Sequence, residues 1–256
     1  QRVPLAANFT AGYGVWLARA NFNRQSLRSL LGREGGIDRP HVYLMQPYDP
    51  NRRIIVMLHG LASSPEAWVE LANEILGDEA LRQHYQIWQV YYPTNMPVAL
   101  NHAMIRRALG ETLTHFDPSG QAPASSDLVL VGHSMGGVIA RLMVSSTDQS
   151  LVQLAADHSR LTPQQIRRID PMLRFEPFPN VSSAIFIAAP HRGTSVAGGR
   201  LGRWMAGFIR FPITVLEELA HTLVPDAAAS SHESLGHIPN SVDNLDENDP
   251  FVRTAA

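Results

Sequence analysis

A serine in a glycine-bounded turn is the residue of this chain with the clearest chemical potential. Residues 128–131 form an apolar run typical of a buried strand, and Gly-His-Ser-Met-Gly-Gly follows at 132–137. Apolar residues then recur at helical spacing as far as Met143. Strand, Gly-x-Ser-x-Gly turn and helix together predict a nucleophile elbow, which raises the Ser134 hydroxyl above a sheet edge. A hydroxyl held in this way can attack a carbonyl carbon.

Attack on a carbonyl places negative charge on its oxygen, and two backbone N–H groups usually stabilise that charge. Met135, directly after the serine, is expected to supply one of them. The loop His59-Gly60-Leu61 follows the apolar run 54–58, and its Leu61 N–H is the natural second donor. We expect His59 and His133 to be structural neighbours of this site and not its general base.

The histidine and the acid that a serine hydrolase needs are harder to place. On an elbow fold they come in the order serine, acid, histidine, each after a later strand. Asp226 with His232 or His237 has this order, but none of the three follows a predicted strand. His191 closes the last predicted strand yet precedes every candidate acid, so we expect a structural or substrate-side role for it.

Strand and helix patterns alternate along the chain. This alternation predicts an α/β fold, with a mostly parallel sheet, helices on both faces and functional loops at the carboxyl ends of the strands. No strand pattern follows residue 190, so two strands expected of such a sheet are missing from the C-terminal part. The predicted strands are 41–45, 54–58, 86–92, 128–131 and 184–189. The predicted helices include 65–76, about 98–116 and one after Ser134 that contains 138–143.

We interpret residues 1–256 as one domain with two additions. An N-terminal helical extension covers 1–36, and an insertion at about 146–180 is a candidate lid or cap. Apolar residues of the insertion could cover an apolar site, which would favour acyl-chain substrates, or could simply pack as a helical cap. These residues are Leu151, Leu154, Ile166, Ile169, Met172, Leu173, Phe175 and Phe178.

Composition excludes several other classes of protein. The net charge of −2, with both signs scattered, gives no nucleic-acid footprint, and no apolar run is long enough to span a membrane. The chain has no cysteine, which excludes disulfides, a thiolate nucleophile and zinc–thiolate sites. No metal or organic cofactor is implied. Because the chain starts at Gln1 without a leader, we expect a processed or excised piece, which slightly favours an exported protein.

Three segments together resemble the bacterial lipase/esterase branch of the α/β-hydrolase superfamily: 56–61 (Val-Met-Leu-His-Gly-Leu), 132–137 and 188–194 (Ala-Ala-Pro-His-Arg-Gly-Thr). The resemblance covers about 40–195 and extends to 241–251. It implies that Ser134 is the acyl-enzyme nucleophile and that Leu61 and Met135 form the oxyanion hole. It also implies that the family's acid and its Gly-His motif follow such a segment, so we expect both beyond residue 256.

The sequence therefore predicts a serine hydrolase that cleaves carboxylic esters of a small molecule or lipid. Two alternatives stay open. One is a non-catalytic α/β-hydrolase scaffold that binds a ligand or partner, and the other is an acyltransferase or amidase that uses the same nucleophile. The sequence leaves the acyl-chain length, the natural substrate and the oligomeric state open.

Overall fold

The computed structural model describes residues 7–20, 38–147, 173–193 and 246–249, together with Val152, Arg167, Asp170 and Arg253. Five strands and six α-helices are labelled here in chain order. The strands are β1 (His41–Leu44), β2 (Arg53–Leu58), β3 (Tyr85–Tyr91), β4 (Leu128–His133) and β5 (Val181–Ile187). The helices are α1 (Ala11–Ala20), α2 (Val69–Gly77), α3 (Glu79–His84), α4 (Val98–Phe116), α5 (Pro123–Ser126) and α6 (Met135–Met143).

The five strands form one sheet in the order β1-β3-β2-β4-β5. Only β1 is antiparallel to its neighbour, and the β2–β3, β2–β4 and β4–β5 pairs are all parallel. The predicted mostly parallel sheet is therefore confirmed. Because parallel strands end at the same edge, the loops after β2, β3, β4 and β5 all leave the sheet on one side.

Helices pack against both faces of the sheet, as the sequence predicted. Alternate residues of β2 point to opposite sides: Ile54, Val56 and Leu58 belong to a core that also contains buried residues of α4 and α6. Ile55 and Met57 belong to a second core with Trp68 and buried residues of α2. A strand buried on both faces needs apolar residues at every position, which explains the continuous apolar run of β2.

Two element boundaries differ from the prediction. The helix expected from Pro65 begins as a 3₁₀ turn, Pro65–Trp68, before α2. The last strand runs from Val181 to Ile187 rather than over 184–189. The serines at the start of this strand interrupt the apolar pattern in the sequence. In the structure Ser182 is held beside β4, where its Oγ donates to the Leu128 carbonyl at 3.2 Å. The end of the strand is set by Ala188, whose φ of 48° is incompatible with an extended strand.

The flanking additions are described only in part. Within the predicted extension, α1 lies against the sheet through Leu17, and Tyr13 Oη donates to Gln89 Oε1 at 2.7 Å. The candidate lid is described only at its two ends, and these ends are joined close to the end of α6. Thr147 N donates to Phe175 O at 2.9 Å. Phe175 and Phe178 belong to the core that also contains buried residues of α4 and α6.

Strand β5 lies at one edge of the described sheet, and its apolar residues Ile185, Phe186 and Ile187 are exposed. In the described part of the chain, no strand pairs with its outer side. Residues 194–245, in which the sequence shows no strand pattern, lie outside the described residues.

Two buried histidines, His59 and His102, should make the free energy of unfolding depend on pH. Burial lowers the pKa of His59 from 6.5 to about 4 and, with the charge of Arg106, that of His102 to about 3. The unfolded chain therefore binds more protons below pH 6.5 than the folded chain. We expect the free energy of unfolding to fall by up to about 3 kcal/mol per histidine as the pH drops from 6.5 to 4.

Urea unfolding at neutral pH and near pH 4 measures this loss. The variant His102→Leu should lose less stability between the two conditions than the parent protein. An equal loss in parent and variant would show that His102 does not contribute to the acid sensitivity.

Candidate active site

Ser134 lies at the junction of β4 and α6, at the carboxyl edge of the sheet. Its backbone has φ 53° and ψ −122°, a conformation that residues with a side chain rarely adopt. The Ser134 N–H donates to the Ile187 carbonyl at 2.9 Å, so β5 holds the turn from one side. The structure therefore contains the strained strand-to-helix turn that the Gly-x-Ser-x-Gly pattern predicted.

The glycines of the turn are required by close backbone contacts. A Cβ on Gly132 would lie 2.4 Å from the Gly136 carbonyl oxygen, and one on Gly136 would lie 2.2 Å from the Leu58 carbonyl oxygen. Neither contact is compatible with a side chain. Since Leu58 ends β2, the first turn of α6 is packed directly against the start of the loop that follows β2.

This loop also contacts the serine itself. A Cβ on Gly60 would lie 3.1 Å from Ser134 Cβ, so the chain just before Leu61 passes beside the candidate nucleophile. On the other side, Met135 is the first residue of α6, and the first N–H groups of a helix have no partner within the helix. The elements that carry the two expected oxyanion donors thus meet at Ser134, at the positive end of a helix.

His59 is a structural residue of this loop, as the sequence suggested. Its Nδ1 lies 2.9 Å from the Gly60 carbonyl oxygen, and its Nε2 lies 3.4 Å from the Tyr92 backbone nitrogen. Tyr92 Oη also donates to the His59 carbonyl, and the two rings stack at 4.3 Å. Both ring nitrogens are used when Nδ1 carries the proton, so His59 cannot serve as a general base in this conformation.

Thr94, in the loop after strand β3, supports the same loop, and sequence reasoning missed this contact. Ala62, the residue after Leu61, has φ 53° and donates its N–H to Thr94 Oγ1 at 3.1 Å. The loop that carries Thr94 is in turn held by Asn101 Nδ2, which donates to the Pro93 carbonyl at 2.9 Å. The sequence could have indicated Thr94 through its position just after a buried strand, at the same sheet edge as Ser134.

Replacing Thr94 by valine tests this support. The substitution keeps the shape of the side chain but removes the acceptor of the Ala62 N–H, and the lost hydrogen bond costs about 0.5–1.5 kcal/mol. We expect the loop with the Leu61 N–H to shift and kcat for ester hydrolysis to fall about tenfold, with KM little changed. Thr112→Val, which removes a helix-surface hydroxyl bonded to the Ala108 carbonyl, is the matched control. Equal kcat values in the two variants would contradict a role for Thr94.

The other histidines near the site have different surroundings. His133 is exposed, and its ring lies edge-on to Trp68 at 6.5 Å. His191 lies in the loop after β5 with its ring edge-on to Phe186 at 4.8 Å. Burial and the charge of Arg141 lower the pKa of His191. Within the described residues, neither ring forms a hydrogen bond with the Ser134 hydroxyl.

The loop after β5 is packed against a distant part of the chain. Gly193 has φ 75°, and a Cβ on it would lie 2.4 Å from Glu247 Cα. Residues 246–249 form a turn, in which Asp249 N donates to the Asp246 carbonyl at 3.0 Å. The segment for which the sequence suggested family resemblance therefore lies beside the loop that contains His191.

The remaining predicted site residues are not placed. Asp226, His232 and His237 lie outside the described residues. Among the residues that the structure does describe, no group of three or more acidic or histidine side chains could hold a metal ion. In the same part of the chain, no helix has the length and apolar character needed to cross a bilayer.

Comparison with known proteins agrees with this geometry. Residues 49–201 match the model of a protein family described as "Putative serine esterase (DUF676)". The match includes β2, the Leu61 loop, the Ser134 turn and the loop after β5. A comparison with curated protein sequences gave no match. The mostly parallel sheet with helices on both faces defines a fold class, the α/β-hydrolase fold. Within it, the chain belongs to this serine esterase family.

Solved structures with a similar fold include bacterial lipases and esterases. The mature lipase BlEst2 of Bacillus licheniformis is 18% identical, with a TM-score of 0.43 over 86% of this chain and 64% of that protein. Esterase B of Lactobacillus rhamnosis, in an inhibited form, is 12% identical, with a TM-score of 0.42 over 93% and 69% of the two chains. This chain thus spans less than two thirds of the Bacillus licheniformis lipase.

Proposed function

We propose that this protein hydrolyses carboxylic esters through an acyl-enzyme intermediate on Ser134. The observation that carries the proposal is the backbone of Ser134, which is held at φ 53° and ψ −122° between β4 and α6. Such strain persists only where the surrounding structure imposes it, and it is concentrated at functional sites. Here the close contacts of Gly132 and Gly136 impose it.

In the proposed reaction, Ser134 Oγ attacks the carbonyl carbon of the ester and loses its proton to a general base. The carbonyl oxygen becomes an oxyanion, which accepts hydrogen bonds from the Leu61 and Met135 N–H groups. The tetrahedral intermediate collapses, the alcohol leaves with the proton, and the acyl group stays on Ser134. Water then attacks this acyl-enzyme, which releases the carboxylic acid and restores the hydroxyl.

The general base of this proposal is an imidazole outside the described residues. His59 uses both ring nitrogens in the fold, and His133 and His191 form no hydrogen bond with Ser134. Asp226 with His232 or His237 is the candidate pair within the chain. Without a base the serine hydroxyl is a weak nucleophile, so the position of the base decides whether this chain turns over substrate by itself.

A fluorophosphonate probe tests both parts of the proposal. It should label the protein covalently, and the Ser134→Ala variant should not be labelled. Loss of labelling in His237→Ala or His232→Ala would place the base within this chain. Strong labelling in both histidine variants would exclude the two residues. No labelling of the parent protein, and no turnover of p-nitrophenyl esters of any chain length, would favour the non-catalytic scaffold instead.

A product assay separates ester hydrolysis from acyl transfer and amide cleavage, because all three reactions can share the nucleophile. Incubation of a p-nitrophenyl ester with an added alcohol or amine should yield mainly the free acid. A dominant transfer product would identify an acyltransferase. Faster cleavage of the matching anilide would identify an amidase.

A further inference from the structure

A cleft of about 510 Å³ lies beside helix α4. One wall is formed by α4, with His102, Arg106 and Arg107, and the other by residues 174–179, which lead into β5. Ser134, Leu61 and Met135 do not line it. The cleft is therefore separate from the candidate active site.

The three arginines of the cleft differ in their partners. Arg107 pairs with Glu111 at 2.7 Å and Arg174 pairs with Asp170 at 3.0 Å. Arg106 forms no such ion pair with any described carboxylate, although the exposed Glu176 also lines the cleft. Its Nη2 donates to the Pro177 carbonyl at 3.3 Å, while its Nη1 is buried and has no partner among the described residues. Arg106 is thus the arginine of the cleft that no described carboxylate holds in a direct ion pair, and Glu176 acts on its charge only from a longer distance.

His102 precedes Arg106 by one helical turn, so the two side chains share one face of α4. It is 1% exposed, and neither ring nitrogen has a hydrogen-bond partner in the described part of the chain. The Phe175 ring covers it at a centroid distance of 4.2 Å. Because buried polar groups are nearly always hydrogen-bonded in folded proteins, two neighbouring exceptions in one cleft indicate a ligand.

We propose that this cleft binds the carboxylate of a small organic acid, with Arg106 as its cation and the His102 N–H as a further donor. The planar guanidinium matches the two oxygens of a carboxylate, and the buried Arg106 Nη1 supplies a donor that has no partner among the described residues. The Arg106 side chain is oriented by the Phe178 ring, 5.3 Å away. Phe175 and Phe178 offer apolar surface to the body of the acid.

Access to His102 requires a movement of Phe175. The ring nitrogens of His102 are closed to solvent, so the Phe175 ring must turn aside before the carboxylate can accept a hydrogen bond from the imidazole. Binding is therefore expected to change the environment of the His102 ring. A carboxylic acid is also the product class of the proposed ester hydrolysis, but recognition by Arg106 does not depend on that reaction.

Calorimetric titration of the Ser134→Ala protein with butyrate tests the site without any turnover. We expect butyrate to bind, the neutral butyramide not to bind, and Arg106→Gln to weaken butyrate binding by about tenfold or more. Arg106→Lys, which keeps the charge but loses the planar fork, should weaken binding less. Arg82→Gln removes the same charge far from the cleft and should bind as the parent does. Thermal unfolding of each variant confirms that it is folded.

The signals of the His102 ring in an NMR titration should move with butyrate and not with butyramide. The proposal is overturned if butyrate does not bind, if butyramide binds equally well, or if folded Arg106→Gln retains the parent affinity. Fluorophosphonate labelling of the parent protein is measured separately. A failure of the carboxylate site is therefore distinguishable from a failure of the proposed esterase function.

Discussion

Replacing Ser134 by alanine is expected to reduce hydrolysis of a p-nitrophenyl ester by about 10³-fold or more, with the fold intact. The expectation follows from the loss of the nucleophile, since oxyanion donors alone supply only a small residual rate. The measurement is kcat/KM with a short-chain ester. Ser145→Ala, which removes the hydroxyl bonded to the Arg141 carbonyl near the end of α6, is the matched control and should keep the parent rate.

Replacing the same residue by glycine should separate activity from stability. The backbone conformation at 134 is open to glycine but strained for any residue with a Cβ, at a cost of about 1–3 kcal/mol. Glycine loses about 0.5–1 kcal/mol more in chain entropy on folding. We therefore expect Ser134→Gly to be more stable than Ser134→Ala by about 1 kcal/mol, with both variants inactive.

Urea unfolding of the two variants decides the point. If Ser134→Gly is no more stable than Ser134→Ala, the turn does not store strain, and the main structural support for the proposed function is lost. If either variant hydrolyses the ester at the parent rate, Ser134 is not the nucleophile. The two measurements test the strain and the chemistry independently.

The second large effect is expected at Gly136. In an ordinary helix, glycine to alanine is favourable, but here a Cβ would lie 2.2 Å from the Leu58 carbonyl oxygen and 2.5 Å from that of His59. Both contacts are with backbone, so neither can be relieved by turning a side chain. We expect Gly136→Ala to lower the free energy of unfolding by about 3 kcal/mol and to separate α6 from the Leu61 loop.

Helix α4 supplies the matched control. A Cβ on Gly110 would meet nothing within 4 Å, so Gly110→Ala should stabilise the protein by about 0.5–1 kcal/mol through helix propensity alone. Denaturant unfolding and fluorophosphonate labelling measure the two variants side by side. Labelling should be lost only in Gly136→Ala. A stable, labelled Gly136→Ala protein would show that the contact between α6 and β2 is not needed to form the site.

Much of the architecture follows from local sequence patterns. The strands from β2 to β4 and the helices α4 and α6 are indicated by apolar runs or helical periodicity, because each element buries a continuous face or stripe. Helix α4 begins at Val98 and ends at Phe116, as its periodicity predicts. The sequence analysis missed the start of β5. Serine has no marked preference for strands, and the serines there are extended because they pair with β4.

The candidate site likewise contains features that the sequence predicts and features that it does not. The Ser134 turn could be predicted because glycine is required at both ends of it, which leaves a mark in the sequence itself. Three other features leave no such mark: the hydrogen bonds between His59 and Tyr92, the support of Ala62 by Thr94, and the buried Arg106 Nη1 beside His102. They join residues that are distant in the chain and become neighbours only when the strands pair.

By itself, the sequence determined the class of this protein: an α/β sheet with a strained serine turn at its carboxyl edge. Local sterics are enough for that, since an elbow needs glycines at given positions and a buried strand needs apolar residues at every position. Only the tertiary structure decided which polar groups have partners. Hydrogen bonds and desolvation depend on what surrounds each group after the chain has folded. The hydrophobic periodicity of the sequence does not indicate these surroundings.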